Sequence, residues 1–184
     1  NHLRELRLPS FRDHYEPLAR QAEQDTLSYE QYLLELANRE CETRRTNRIE
    51  TMLRQSRLPL EKTLDSFELK RLPAKVSRQV RSLTDGKFVE RCENVLAFGK
   101  PGSGKTHLLA GLSQELIRQG KRVYFSPCSL LVQELLIAKR DLKLSLVLKR
   151  LGRFDAIMID DIGYVQQSRE EMEVLFTLLA ERYE

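Results

Sequence analysis

The chain has no tryptophan, only three cysteines, and no apolar run approaching the length of a membrane span. Each shortage narrows the possibilities. A spanning helix needs roughly 20 consecutive apolar residues, and none is present to place. The opening residues, Asn1-His2-Leu3-Arg4-Glu5, lack the apolar core of a secretory signal. Cys41, Cys92 and Cys128 are odd in number and far apart. Disulfide frameworks and metal clusters are not built that way, so reduced thiols in a cytoplasmic setting are expected. Without tryptophan, and with few clustered aromatics, the chain also lacks obvious platforms for stacking single-stranded bases. No internal repeat or low-complexity tract interrupts it.

What is present fits one domain or two small ones with many exposed helices: 184 residues, of which 32% are charged. The net charge of +4 is small but unevenly placed. From Arg44 to Arg57 there are five arginines against one acid, Glu50. From Lys70 to Arg91 there are seven basic residues against Asp85 and Glu90. Such stripes suit a phosphate backbone, and equally a solvated helix face. Arg44, Arg45 and Arg48 are the candidates from the first stripe.

Residues 1–57 read as a small all-α domain. Leu3, Leu6 and Leu8 begin an apolar stripe that Phe11, Tyr15, Leu18 and Ala22 continue, with Pro17 marking a kink or a late start. Ser28 followed by Gln31 is a capping box, and the helix it opens should present Tyr29, Tyr32, Leu33, Leu36 and Ala37 on one face. Residues 58–73 read as a linker, tacked down by Leu64, Phe67 and Leu69. Residues 74–83 read as a short basic helix, stopped by Thr84-Asp85-Gly86. From residue 74 to 184 strands alternate with helices, which predicts an α/β domain with a parallel sheet and flanking helices. The expected strands are Val95–Phe98, buried; Val123–Phe125; and Phe154–Ile159. A helix ends before Gly120 in the C′ position, and Ser168 caps a final helix.

The chemistry is concentrated in Gly99-Lys100-Pro101-Gly102-Ser103-Gly104-Lys105-Thr106, a full G-x-x-x-x-G-K-[ST] match between an apolar run and a helix. Glycines let successive N–H groups converge, and with the helix N-terminus they form a nest for phosphate oxygens. Lys105 is placed to reach the β- and γ-phosphates, and the Thr106 hydroxyl to ligate Mg²⁺. No Asn-Lys-x-Asp motif for reading guanine is visible, which favours ATP over GTP. Asp160-Asp161 closes an apolar strand about 55 residues after Lys105. Ligands in such sheets gather at strand carboxyl ends. Asp160 should therefore lie beside Thr106 and hold Mg²⁺, while Asp161 is placed to orient or deprotonate water.

With both motifs in place, the chain resembles the IstB/DnaC-like branch of the AAA+ ATPases. The resemblance is carried by Glu93-Asn94-Val95-Leu96, by the loop through His107-Leu108, and by Ile159-Asp160-Asp161-Ile162-Gly163-Tyr164. The stretch from Leu6-Arg7-Leu8-Pro9 to Leu64-Asp65-Ser66-Phe67 is similar to the IstB-like members in particular. The resemblance implies an ASCE-type P-loop fold, a nucleotide contact by the whole loop including His107, and ATP hydrolysis, which the departure from the family at Asp161 is expected to slow. It further implies ATP-dependent self-assembly on double-stranded DNA and recruitment of a cognate transposase. It makes Lys139, Arg140 and Lys143 candidate DNA contacts, because the family carries a DNA-facing helix after the second strand. Asp161 stands where many AAA+ proteins have Glu, one methylene longer, which suits a switch rather than a motor. On the same resemblance the sensor strand, arginine finger and lid are expected beyond Glu184, leaving the ATPase fold incomplete at this end. The alternative is a DnaC-type helicase loader acting on single strands; a scaffold that binds ATP without hydrolysing it is a third reading.

Overall fold

The computed structural model describes residues 2–163 and 168–183. Tyr164, on which part of the resemblance rests, lies outside them. Two compact units are formed, Asn1–Thr51 and Met52–Glu184.

The first unit is helical: α1 (His2–Glu5), α2 (Pro9–Gln24) and most of α3 (Tyr29–Ser56). Pro9 starts α2, where a missing N–H costs nothing. Pro17 lies within α2 and does not end it. The capping box forms as expected, with Ser28 N–H donating to Gln31 Oε1 at 2.9 Å and Gln31 N–H to Ser28 Oγ at 3.3 Å. The buried face of α3 differs from the expected one. Leu36 and Glu40 are buried and Tyr32 is half-buried, whereas Tyr29 and Leu33 stand exposed at 91% and 57%. Tyr32, Leu36 and Glu40 recur at helical spacing, and Tyr32 also donates its hydroxyl to Tyr15 O at 2.8 Å on α2. That bond and the Glu40 carboxylate fix which side of α3 turns inward.

The second unit begins inside α3, so the chain runs from one unit to the other without a break in the helix. It continues with the linker and a 3₁₀ turn, Leu69–Arg71, then α4 (Ala74–Leu83), α5 (Lys87–Glu90), α6 (Lys105–Arg118), β1 (Val123–Pro127), α7 (Cys128–Arg140), α8 (Leu144–Leu151), β2 (Ala156–Asp160) and α9 (Arg169–Tyr183). Strands β1 and β2 pair in parallel, Val123 opposite Ala156 through Pro127 opposite Asp160, with α7 and α8 forming the crossover. This is an α/β arrangement. Gly120 adopts φ +91° just past α6, and Lys121 N–H returns to Leu116 O at 3.0 Å, closing the helix as its sequence predicts. Ser168 caps α9 through a reciprocal pair with Glu171.

Helix α6 packs on both strands, and α7 packs on β1, α8 and α9. Their meeting faces form the core: Tyr124, Cys128, Leu131, Val132, Leu135, Leu148, Leu151, Val174, Leu175 and Leu178. Leu131, Leu135 and Leu151 are fully buried, each contributing roughly 1.5–3 kcal/mol by removal from water.

Residues 95–98 do not form the expected buried strand. Leu96 and Phe98 are 72% and 89% exposed, and no ladder includes them. The physical reason is the absence of a neighbour: β1 and β2 pair with each other, and among the described residues no strand lies beside 95–98. Among the described residues no helix is long and apolar enough to cross a membrane.

Candidate nucleotide site

The loop between residue 99 and α6 turns tightly, with Ser103 N–H donating to Lys100 O at 3.2 Å and both Gly102 (φ +74°) and Gly104 (φ +86°) left-handed. Gly104 is doubly constrained. A Cβ there would sit 2.8 Å from Phe67 Cε2, besides occupying a backbone region that disfavours side chains. Gly104 is the N-cap of α6 and offers no side-chain cap. The first-turn N–H groups have no acceptor within the helix, and the helix dipole adds partial positive charge there.

Lys105, the first residue of α6, folds back so that Nζ donates to Gly99 O at 2.9 Å and Lys100 O at 3.0 Å. Its cation is therefore held across the loop by neutral acceptors. Thr106 Oγ1 lies 3.0 and 2.8 Å from the two carboxylate oxygens of Asp160, to which it donates. Asp160 ends β2, so strand pairing brings the carboxylate to the start of α6, which packs on that strand. The next residue, Asp161, takes φ +59°, a conformation that Asp tolerates better than most residues. It lines an open cavity of about 450 Å³ together with Lys62, Pro101, Gly102, Gly104, Lys105, Thr106 and His107.

The donor set fits a nucleoside triphosphate: an ammonium beside a helix start with no side-chain cap. Thr106 and Asp160 supply hard oxygens of the kind Mg²⁺ takes, with phosphates and water completing its shell.

His107, expected to touch nucleotide, lines the same cavity. Its Nε2 lies 3.0 Å from both Thr63 O and Ser66 Oγ, and its ring meets Phe67 edge-on at 5.3 Å. Below it, Gly111 admits Leu64: a Cβ on Gly111 would fall 2.7 Å from Leu64 N. Gln114, buried in α6, donates to Lys62 O at 2.9 Å. Leu64 and Phe67 thus tack the linker down as expected, but onto the phosphate-loop helix itself. Lys62 in the cavity wall carries no motif that would have revealed it. Gln114 did have a signal, as a polar side chain among the apolar positions of α6.

The proposed DNA contacts fall in different settings. Lys139 pairs with Glu173 at 2.8 Å, and Arg140 Nε sits 3.4 Å from Asp141. Lys143 is exposed just before α8. In the first unit, Arg44 bonds Glu40 at 2.7 Å and the carbonyl of Arg7, while Arg45 and Arg48 are exposed.

A parallel α/β sheet with an uncapped, glycine-shaped loop and a carboxylate meeting the loop threonine defines the class of phosphate-loop proteins. The profile of one such family, described as IstB-like ATP binding protein, matches residues 1–184. The chain belongs to this family. It is 37% identical over 183 residues to the "Putative insertion sequence ATP-binding protein" of Sinorhizobium fredii, covering 99% of this chain and 61% of that one. It is 37% identical over 182 residues to the "Insertion sequence IS21 putative ATP-binding protein" of Pseudomonas aeruginosa (99% and 69%). With the "Insertion sequence IS5376 putative ATP-binding protein" of Geobacillus stearothermophilus it shares 32% over 179 residues (97% and 71%). The chain thus spans about three fifths to seven tenths of these relatives' lengths.

Proposed function

We propose that this protein is a Mg²⁺-dependent ATPase of an insertion sequence, which assembles on duplex DNA in its ATP-bound form and engages the element's transposase. The observation that carries the nucleotide part is the hydrogen bond to Asp160 from Thr106, which lines a cavity together with Lys105 and Asp161. The relatives' names, which refer to insertion sequences and ATP binding, support the biological setting.

In this reading the N–H groups of the loop and of the first turn of α6 hold the phosphates. Lys105 exchanges its carbonyl partners for phosphate oxygens, a stronger, charge-assisted contact. Thr106 and Asp160 hold Mg²⁺, which when bound neutralises charge on the β- and γ-phosphates. Asp161 accepts the proton of a water aligned on the terminal phosphate. Its shorter side chain makes this step slow. The linker turn, through His107, Phe67 and Leu64, holds the start of α6 in register with the cavity. DNA contact is through the phosphate backbone and reads no sequence.

Duplex and single-stranded DNA of matched length should be titrated across a salt series with ADP, ATP and a non-hydrolysable analogue, following particle size by sedimentation. Large ATP-dependent particles on duplex are expected. Small complexes that prefer single strands would replace this reading with a helicase loader.

A further inference from the structure

Several basic side chains of the second unit are neutralised where they stand. Lys121 pairs with Glu90, Arg118 with Glu115, Arg122 with Asp155, Lys139 with Glu173 and Arg150 with Glu134. Helix α4 gathers three cations that are not. Its sequence, Ala-Lys-Val-Ser-Arg-Gln-Val-Arg-Ser-Leu, contains no acid. Val80 is buried, and Val76 and Leu83 are half-buried on the same side. That packing turns Lys75, Arg78 and Arg81 outward, and all three are exposed. None of the three forms an ion pair or side-chain hydrogen bond among the described residues.

We propose that this face of α4 contacts the sugar–phosphate backbone of duplex DNA. The inference rests on the DNA-binding reading above, but on different residues. At 1.5 Å rise per residue the three cations span about 9 Å along the helix, enough to face two or three phosphates of one strand at roughly 3.4 Å rise each. The rest of the exposed side is Ala74, Gln79 and Ser82. It has no large apolar side chain for a bilayer or for a protein hot spot, and no aromatic ring on which an unpaired base could stack. The face is also anchored. Gln119, just past α6, donates to Thr84 O at 2.7 Å, and Gly86 is so close to Gln119 that a Cβ would lie 2.5 Å from Oε1. The C-terminal end of α4 therefore sits beside the far end of the phosphate-loop helix, about 21 Å from its start.

The test is binding of a fluorescent duplex of random sequence across a salt series, with ATP binding measured in parallel. The triple variant K75Q/R78Q/R81Q is compared with a charge-matched control, R20Q/K149Q/R153Q. The triple variant should lose at least about tenfold in affinity at low salt and keep ATP affinity. Its log affinity–log salt slope should be shallower by about 2.7. The single variants K75Q, R78Q and R81Q, each too mild to unfold a helix, should each lower the slope by about 0.9. Equal losses in triple variant and control, or unchanged slopes in the singles, overturn the assignment and leave the DNA reading standing. Loss of poly-glutamate binding with duplex binding intact assigns the face to an acidic protein and overturns it as well. If the unaltered chain binds no duplex at any salt, both readings fall together.

Discussion

Glu40 looks like one more acid on a charged helix, yet it is 4% exposed. Its Oε2 accepts the N–H of Ser10 at 2.9 Å and, more distantly, that of Phe11 at 3.4 Å. Its Oε1 accepts from Arg44 Nε at 2.7 Å. The carboxylate therefore caps the start of α2, where helix N–H groups lack intrahelical acceptors. Replacing it with alanine strands a buried Ser10 N–H, worth roughly 1–3 kcal/mol, and removes a favourable dipole contact of about 0.3–1 kcal/mol. Relief of the buried charge offsets part of this. We expect Glu40→Ala to cost the first unit about 2–3 kcal/mol, seen as roughly 30- to 150-fold faster hydrogen exchange across α2. Glu40→Gln, which keeps an acceptor, should cost less than half as much. Burial by itself raises the Glu40 pKa, but Arg44 and the two N–H groups outweigh it, and the group titrates below the usual carboxylate range. Its contribution is thus fully present above the unfolded pKa, near 4.5, and is lost as pH falls through the lower folded value. Protection of the α2 amides, relative to their intrinsic exchange rate at each pH, should fall on acidification in the wild-type protein and much less in Glu40→Gln. A loss under about 0.5 kcal/mol, or identical acid dependence in both proteins, would refute the reasoning. The same geometry gives Arg44 a structural task.

Three further outcomes are expected. Gly104→Ala forces a left-handed alanine against Phe67 and should cost about 1–3 kcal/mol and at least tenfold in ATP affinity; unchanged melting and affinity would show that the loop does not need this conformation. Asp161→Asn should leave ATP binding within about threefold while slowing hydrolysis by roughly 100-fold or more. Retained hydrolysis in steady-state phosphate release would remove Asp161 from the proposed chemistry. Ser28→Ala breaks the capping box and should cost about 1 kcal/mol, read by exchange in the first turn of α3, where an unchanged rate would count against the cap.

Local signals were the legible ones. The capping residues Ser28 and Ser168, the C′ residue Gly120 and the stop at Gly86 act within a few residues of themselves, and each is where its chemistry requires. The neighbourhood of Thr106 and Asp160 was also readable, since a strand end and a loop start meet by the logic of a parallel sheet. Features that depend on distant partners were not. Val95–Phe98 is apolar enough for a buried strand, but apolarity says nothing about whether a neighbour is there to pair. His107 adjoins the loop in sequence and turns to Thr63 and Ser66, because the linker lies over α6. Glu40 belongs to a polar run whose burial only the packing of α2 reveals.

The central claim is that the loop from Gly99 to Thr106 is a Mg²⁺–ATP site, and its most direct test is calorimetric titration of ATP with and without Mg²⁺ into the wild-type protein and Lys105→Ala. Saturable binding that Mg²⁺ strengthens, and that weakens by about tenfold or more when the charge-assisted Lys105 contact is removed, is the predicted result. Equal affinity of the two proteins, or no binding by the wild type, would contradict it.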